Sequence, residues 1–377
     1  MQKFDKDYLV KTSYKKEDVE ILLKDLSGKM EPLSTVERER KIQSGVHYSE
    51  MLPLEYKPTK EYMDIYEASL KSLSEKTAKA VIAISELLYS KHNGIFVIVS
   101  LARAGIPIGI LIKRYIKLKY NIDLPHYAIS IIRGKGIDKN AMDYIYDKHK
   151  DIGVEHFQFV DGWVGKGAIA RVLIKACKEL TDYNGKWSNI SPELAVLSDP
   201  ANVTELCGTR EDFLIPSACL NSTVSGLVSR TILNSLISED DFHGAVYFKE
   251  MEAYDKSYEF IDEVYKYLDK YMNTFDWVSE TLKIKCAGNN ETGLDVVKRI
   301  GAEFKINDIN FIKPGVGETT RVLLRRIPWK VLVRSDVNSG DIAHIIRLCK
   351  DKNVPIEIHN IGGYTTCGII KDLNADV

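Results

Sequence analysis

The segment over residues 157–169 constrains the fold of this chain more than any other. It reads F-Q-F-V-D-G-W-V-G-K-G-A-I, an apolar run that ends in an acid and leads into a glycine-rich turn. The pattern predicts a strand that brings Asp161 to the edge of a sheet, a tight turn, and a helix from Ala168. Backbone N–H groups and the positive end of the helix dipole would converge there, so the segment predicts an anion-binding loop. The residues of this loop are Gly162, Trp163, Gly165, Lys166 and Gly167.

Asp161 narrows the kind of anion that fits this loop. A carboxylate repels bare phosphate, but it suits a ribose diol or a Mg²⁺ ion that accompanies pyrophosphate. The turn is not the phosphate loop G-x-x-x-x-G-K-[ST], because Gly167 follows Lys166. It meets G-x-G-x-x-G only if Ala170 is accepted as the third small residue. A glycine-rich turn without a ligand is the alternative.

A second unit of the same design lies at residues 94–112, which read G-I-F-V-I-V-S-L-A-R-A-G-I-P-I-G-I-L-I. Its turn contains Arg103, Ala104 and Gly105. Apolar runs such as Ile95 to Val99 are typical of strands covered on both faces, so the two units predict a doubly wound parallel α/β sheet with ligands at the carboxyl ends of its strands. Arg103 would meet pyrophosphate, which a guanidinium can bind with two hydrogen bonds.

These loops carry a resemblance to a known family. S-L-A-R-A-G-I-P resembles the pyrophosphate loop of type I phosphoribosyltransferases, and F-V-D-G-W-V-G-K-G resembles a variant of their donor-binding loop. With residues 42–53 and 213–231, the chain is similar over roughly residues 30–275 to the bacterial phosphoribosyltransferases associated with tellurium-resistance operons, which are also catalogued as cysteine protease StiP. The family's pair of adjacent acids is Val160-Asp161-Gly162 here, and its Thr-Gly pair is Val164-Gly165.

The resemblance implies a Mg²⁺-dependent glycosyltransferase of the stress response. It would transfer ribose 5-phosphate between pyrophosphate and a base-like acceptor, using phosphoribosyl pyrophosphate or a nucleotide, with Asp161 as the metal contact. The acceptor cannot be identified from the sequence. A non-catalytic RNA-binding regulator that senses a nucleotide is one alternative, because the donor loop departs from the family pattern.

Five further residues receive roles from this resemblance. Arg133 and Lys135 lie where these enzymes have a flexible loop that closes over the reacting centre. His47 and Tyr48 would form a hood over the acceptor, and Asp199 would contact the acceptor from the end of a strand. The alternatives are a solvated loop, a structural histidine, and an aspartate that caps a turn.

Residues 217–226, S-A-C-L-N-S-T-V-S-G, suggest a different chemistry. A Cys219 thiolate paired with a histidine such as His243 would form the nucleophile of a cysteine hydrolase or protease. The alternative is a cysteine buried by close packing of small residues. No local cysteine-protease signature surrounds Cys219, and no spacing of His, Cys and Asp indicates zinc.

Residues 306–377 predict a separate small α/β/α domain. They resemble the RNA-binding fold of pelota and the kink-turn-binding ribosomal proteins, whose turn G-x-N-E-x-x-K enters a helix. Here that turn is G-V-G-E-T-T-R, so Gly317 and Arg321 replace the Asn and the Lys. The resemblance implies that structured RNA binds to Gly315, Gly317, Glu318, Arg321 and Arg325. Solvated surface charge is the alternative.

Length and composition limit the number of domains, the mode of nucleic-acid binding and the location of the protein. The 377 residues suggest about two to three domains, predicted at 1–55, 56–280 and 306–377 with a linker at 281–305. A formal charge of −1 confines nucleic-acid binding to a local patch. Six scattered cysteines and the lack of a long apolar run predict a cytoplasmic protein without disulfides. A homodimer is compatible with this sequence.

Periodicity predicts the remaining elements of the first domain. A short helix is expected at residues 16–26 and a long helix from Tyr62 to Ser90. Strands are expected at 126–132, 194–198 and 243–248, and a helix is expected to end near Tyr271. Because no strand of the first sheet is predicted beyond Phe248, a fragment that ends near residue 300 is expected to fold alone.

Overall fold

The structure is a computed structural model that describes residues 8–286 and 291–371. Residues 1–7 of the predicted hood domain, 287–290 of the predicted linker and 372–377 of the predicted RNA-binding domain lie outside the described residues. The described helices are α1 (Thr35–Gln43), α2 (Lys60–Lys91), α3 (Gly105–Tyr120), α4 (Lys139–Lys148), α5 (Ala168–Tyr183), α6 (Ser257–Tyr271), α7 (Trp277–Cys286), α8 (Gly293–Glu303), α9 (Val316–Arg325) and α10 (Ala343–Asp351). The described strands are β1 (Glu20–Ile21), β2 (Lys24–Asp25), β3 (Val97–Leu101), β4 (His126–Ile129), β5 (Ile131–Ile132), β6 (Gly136–Ile137), β7 (Phe157–Trp163), β8 (Leu194–Ser198), β9 (Cys207–Thr209), β10 (Gly244–Ala245), β11 (Ile312–Pro314), β12 (Pro328–Val333), β13 (Ile356–Ile358) and β14 (Thr366–Ile370).

The central sheet is parallel, with strand order β1-β4-β3-β7-β8-β9. The chain adds β4 on one side of β3 and then places β7 on the other side. At such a reversal the loops after the two strands diverge and leave a crevice at their carboxyl ends. The α/β class and the parallel central sheet are therefore confirmed, and both predicted anion loops flank the reversal point.

Helices cover both faces of this sheet. One face packs against α2, α3 and α6, whose apolar stripes include the fully buried Val81, Ile84 and Leu88. The other face packs against α4 and α5, where Leu173 and Leu180 are fully buried. Burial on both sides explains why β3 and β8 consist of buried residues throughout.

The C-terminal unit has the predicted α/β/α layers, in which helices cover both faces of a central sheet. Its sheet runs β11-β14-β12-β13, with β12 and β13 parallel and the other pairs antiparallel. In β12, Val331 and Val333 pack with α9 and α10, whereas Leu332 packs with α8 on the opposite face. The α8 helix lies within the segment predicted as a linker.

The largest errors of the sequence predictions concern short elements. Residues 16–26 form β1 and β2 instead of a helix, because Glu20–Ile21 pairs with β4 and Lys24–Asp25 pairs with β10. The strand predicted at 243–248 is reduced to β10, which belongs to this small second sheet and not to the central one. The edge strand β9 and helix α4 were not predicted. Among the described residues, no helix is both long and apolar enough to span a membrane.

Candidate ligand-binding cleft

The loop after β3 brings Arg103 to the crevice. Gly105 starts α3 at a point where a Cβ atom would lie 2.3 Å from the carbonyl oxygen of Val160, so only glycine lets this helix approach β7 so closely. The peptide bond that precedes Arg103 is cis, and the Arg103 Nη1 atom donates to the carbonyl oxygen of Val228 at 3.0 Å. Arg103 is half-buried, and its partial withdrawal from water lowers its pKa.

The loop after β7 places Asp161 beside this arginine loop. The Asp161 carboxylate accepts a hydrogen bond from the Gly162 N–H at 2.7 Å, and burial raises the pKa of Asp161 to about 7. Gly167 precedes α5 with a φ of 71°, a backbone conformation that favours glycine. The predicted strand, turn and helix are thus present, and the N-terminus of α5 faces the crevice.

Lys166 connects the predicted anion loop to the C-terminal unit. Its ammonium group donates to the carbonyl oxygens of Ile309 at 2.8 Å and Ile312 at 3.3 Å, both in the C-terminal unit. Burial lowers the pKa of Lys166 to about 8. Lys166 therefore joins the two units, although it also lines the cleft.

The N-terminal segment covers the crevice as a hood. His47 Nε2 lies 3.0 Å from the carbonyl oxygen of Arg133, and the Tyr48 hydroxyl accepts from the Arg133 N–H at 2.9 Å. The Arg133 guanidinium lies 5.6 Å from the centre of the Tyr48 ring. The structure brings these three residues together, whereas Lys135 is exposed in the turn between β5 and β6.

Helix α9 of the C-terminal unit forms the third wall. Arg321 Nε donates to the carbonyl oxygen of Ala218 at 3.1 Å, and its guanidinium lies 5.3 Å from the Trp163 ring. Arg325 donates to the hydroxyl of Tyr62. Glu318 pairs with Arg321 at 3.0 Å. The residues predicted to contact RNA thus face the first unit, and RNA contact at these residues stays a prediction.

These three walls enclose a cationic cavity of about 440 Å³. Two adjoining cavities of about 270 and 420 Å³ share Asn221 and Arg230 with it, so the three form one continuous cleft. The main cavity has two carboxylates, Asp161 and Glu318. Its cations are Arg133, Lys166, Arg230, Lys313, Arg321, Arg325 and Arg326.

Arg230 lies where these cations converge. Arg230 is exposed within the cleft, and its enclosure by the cleft walls, followed by the charges of Arg103, Arg38 and Arg321, lowers the pKa of Arg230 to about 10. Among the described residues no carboxylate forms an ion pair with it. Repulsion between these like charges destabilises the folded protein, and an anionic ligand would relieve it.

Asp199 is not part of this cleft. Its carboxylate is fully buried and accepts from the N–H groups of Val203 at 2.7 Å and Thr204 at 2.8 Å, and it forms an ion pair with Arg210. The structure thus assigns Asp199 to the alternative of a turn cap. The predicted acceptor contact is corrected, because no acceptor can reach this carboxylate.

Cys219 lies beneath the cleft. Its thiol is 1% exposed and 3.7 Å from the hydroxyl of Ser69, and burial raises the pKa of Cys219 to about 11. His243 instead contacts the Ser130 hydroxyl at 2.8 Å. The structure therefore does not form the Cys219–His243 pair considered from the sequence.

Sequence reasoning missed three residues of the candidate site and its junction, namely Arg230, Asn221 and Asp212. Arg230 and Asn221 belong to the segment quoted for the family resemblance, but no local pattern distinguishes them. Asp212 contacts residues more than 100 positions away in the chain. Only the tertiary arrangement identifies these three residues.

A metal site is not evident from the protein side chains. The described residues contain no group of three or more His, Cys, Asp or Glu that could hold a metal ion. Mg²⁺ stays a prediction, in which Asp161 would share the ion with oxygens of a bound phosphate.

Comparisons with known proteins match both units. Residues 12–265 match the family described as tellurite-like stress resistance cysteine protease StiP, and residues 291–372 match the PELOTA RNA binding domain. A cysteine protease StiP of Acinetobacter baylyi is 34% identical over 374 residues, which covers 96% of this chain and 94% of that protein. None of the solved structures matches significantly.

These matches correct the predicted activity. The matched family and relative are described as cysteine proteases, so the predictions of a phosphoribosyltransferase, of a glycosyltransferase and of ribose 5-phosphate transfer are wrong. The cysteine hydrolase considered as an alternative agrees better with the family. The predicted links to tellurite-type stress resistance and to a pelota-type RNA-binding domain are confirmed.

Proposed function

The chain belongs to the family described as tellurite-like stress resistance cysteine protease StiP, and from that premise we propose a cysteine hydrolase that binds a phosphate-bearing ligand between its two units. The convergence of several guanidinium groups on Arg230, which has no carboxylate partner among the described residues, is the observation that carries the ligand class. A cytoplasmic location is part of the proposal, because the five described cysteines are all free thiols.

The cleft favours a ligand of the nucleotide class. Guanidinium groups bind phosphate oxygens with paired hydrogen bonds, and Arg103, Arg133 and Arg230 approach the cleft from the first unit. A volume of about 440 Å³ is in the range of small-molecule sites. Asp161 can accept hydrogen bonds from ribose hydroxyls, and Trp163 offers an aromatic face for a base.

Two sources could supply such a ligand, namely a free nucleotide or a segment of RNA. The match to the PELOTA RNA binding domain supports RNA. Both sources present the same phosphate and ribose groups to the cleft, so the test needs a probe of each kind.

Calorimetric titrations with pyrophosphate and ADP, and fluorescence anisotropy with a labelled RNA hairpin that carries an internal loop, test this proposal. The Arg230→Gln variant should bind these probes more weakly than wild type by about 1.5–3 kcal/mol, as expected when a hydrogen bond to a charged group is removed. Arg347→Gln is the matched control, because Arg347 is exposed on α10 and pairs only weakly with Asp351 at 3.7 Å. Equal affinities of wild type and Arg230→Gln would refute the cleft assignment. Binding of only one kind of probe would identify the source.

Cys219 is the nucleophile that the geometry favours for hydrolysis. Its neighbours Ser217, Leu220 and Asn221 line the cleft, whereas Cys207 and Cys349 lie within the cores of the two units. In a thiol mechanism the sulfur would attack an acyl carbonyl, the amine would leave with a proton, and water would release the acid. Because the thiol is buried and protonated, this reaction requires segment 217–221 to open.

A proteolysis assay on a fluorescent casein tests this assignment. Cys219→Ala should abolish hydrolysis, and Cys349→Ala should retain it as the control. If the wild type binds the phosphate probes but hydrolyses no substrate, the proposed cysteine hydrolase is wrong. The alternative of a non-catalytic RNA-binding regulator then replaces it. The burial of all five described free cysteines is the observation that favours this alternative.

A further inference from the structure

Asp212 joins the first unit to the N-terminus of α9. Its Oδ1 atom accepts from the Val316 N–H at 2.9 Å, and its Oδ2 atom accepts from the same N–H at 3.1 Å and from the Thr365 N–H at 2.8 Å. The Thr365 hydroxyl also donates to the Asp212 carbonyl oxygen at 2.7 Å. One residue of the first unit thus satisfies donors in both α9 and the loop before β14.

These donors lie where the C-terminal unit would otherwise bind an anion. Val316 is the first residue of α9, and the N–H groups of a first helical turn have no partner within the helix. A free helix N-terminus favours phosphate, but here the Asp212 carboxylate occupies that position. The turn is also closed by packing, since a Cβ atom on Gly317 would lie 3.2 Å from the Cβ atom of Ala218.

Further contacts fix the same arrangement. Arg321 reaches the Ala218 carbonyl oxygen, and Arg325 reaches the hydroxyl of Tyr62. At the far side of the junction, a Cβ atom on Gly363 would lie 2.3 Å from the carbonyl oxygen of Pro200. The result is that α9 presents its arginine face to the cleft that contains Arg230.

We propose that Asp212 is a positioning residue of the ligand site, which is complete only when it holds α9 against the first unit. Asp212 itself contacts no ligand and acts through Arg321 and Arg325. In this arrangement the phosphates meet arginine side chains in the cleft, and not the backbone turn at residues 315–318. The inference rests on the proposed phosphate-binding function of the cleft.

Two variants disturb this junction in different ways. Asp212→Asn keeps the size of the side chain but points an NH₂ group at the Val316 or Thr365 N–H, so a donor faces a donor. Gly363→Ala introduces a methyl group against the Pro200 backbone and changes no charge. Each should weaken the binding of pyrophosphate by about tenfold or more. Asp341→Asn and Gly185→Ala are the controls, because Asp341 is exposed and a Cβ atom on Gly185 would meet nothing within 4 Å.

A double-mutant cycle separates positioning from general loss of structure. If Asp212 acts through the two arginines, Asp212→Asn should have little further effect on pyrophosphate affinity in a chain that already carries Arg321→Gln and Arg325→Gln. Additive losses would show that Asp212 supports the fold as a whole and would overturn the proposal. Circular dichroism of each full-length variant verifies that it is folded.

The remaining outcomes are also decisive. Unchanged affinity in Asp212→Asn and in Gly363→Ala would overturn the positioning role. Tighter binding of the RNA hairpin by Asp212→Asn would show that Asp212 masks an RNA site at the turn, which is the opposite of the proposal. If wild type binds neither pyrophosphate, ADP nor the RNA hairpin, the proposed ligand class itself fails, and this inference falls with it.

Discussion

At the scale of single side chains, the cleft contains more cations than carboxylates, and the Glu318–Arg321 pair neutralises only part of this charge. Arg230 lies among other guanidinium groups, and the half-buried carboxylate of Asp161 accepts the N–H of Gly162. Repulsion between the guanidinium groups and desolvation of the Asp161 carboxylate both reduce the stability of the ligand-free protein. Residues that reduce stability in this way are typical of functional sites.

Asp161→Asn should therefore stabilise the ligand-free protein in a pH-dependent way. Burial raises the pKa of Asp161 to about 7 in the folded chain, against about 3.9 when unfolded. Above pH 7 the folded state carries the full penalty of a buried charge. Between about pH 7 and 4 the folded carboxyl keeps a proton that the unfolded chain has lost, so the penalty shrinks as the pH falls. The variant should have a higher Tm than wild type near pH 8 and nearly the same Tm near pH 4.

Thermal unfolding by circular dichroism across this pH range measures the effect. Asparagine can still accept the Gly162 N–H, so the loop geometry is retained. Asp341→Asn is the control, because it makes the same change at an exposed position. A Tm difference between Asp161→Asn and wild type that stays constant from pH 4 to 8 would contradict the raised pKa of Asp161 described above.

At the scale of elements, the crevice depends on how closely α3 approaches β7. Gly105 makes this approach possible, and Gly162 lies in the same contact, where its Cβ atom would be 3.2 Å from that of Ala104. The side chain of Arg103 is directed by this junction. The loop positions of the site are therefore consequences of helix and strand packing.

Gly105→Ala should destabilise the protein by about 1–3 kcal/mol, because the added methyl group overlaps the Val160 carbonyl oxygen and forces α3 away from β7. Urea unfolding measures this change, with Gly185→Ala as the matched control. Ligand affinity should fall as well, since Arg103 moves with the loop. Stability equal to that of wild type would show that the backbone relaxes without cost.

Elements with long, regular patterns could be predicted from the sequence. The long helix α2 and the strand–turn–helix units after β3 and β7 show continuous apolar periodicity, and the candidate site residues Arg103 and Asp161 follow from them. His47, Tyr48 and Arg133 were instead proposed from the family resemblance. The short strands β1, β2 and β9 could not be predicted, because a segment of two or three residues is too short to show an alternation of apolar and polar residues. Arg230 and Asp212 were missed because their roles arise from contacts between distant segments.

The predicted chemistry was wrong for a related reason. Two anion loops at the ends of parallel strands indicate what kind of group binds there, but they do not determine which bond is broken. The same sheet geometry supports many reactions. A resemblance that rests on loops therefore did not determine the activity.

At the scale of the whole molecule, the two units share their interior. Each of the two large apolar clusters contains residues from both units, and Asp212, Lys166 and Arg321 connect them with hydrogen bonds. This junction argues against the expectation that a fragment ending near residue 300 folds alone. An interface that is continuous with both cores couples the unfolding of the units, because neither can open without exposing apolar surface of the other.

The full chain should therefore unfold in a single calorimetric transition, with equal calorimetric and van't Hoff enthalpies. A fragment of residues 1–286 should unfold at a lower temperature, because it exposes the apolar surface that α9 and Tyr364 cover and leaves Asp212 without the Val316 and Thr365 donors. Pyrophosphate should raise the Tm of the full chain more than that of the fragment, since Arg321 and Arg325 are absent from the fragment. Two separate transitions, or a fragment as stable as the full chain, would show that the units are thermodynamically independent and that the cleft between them is only a contact surface.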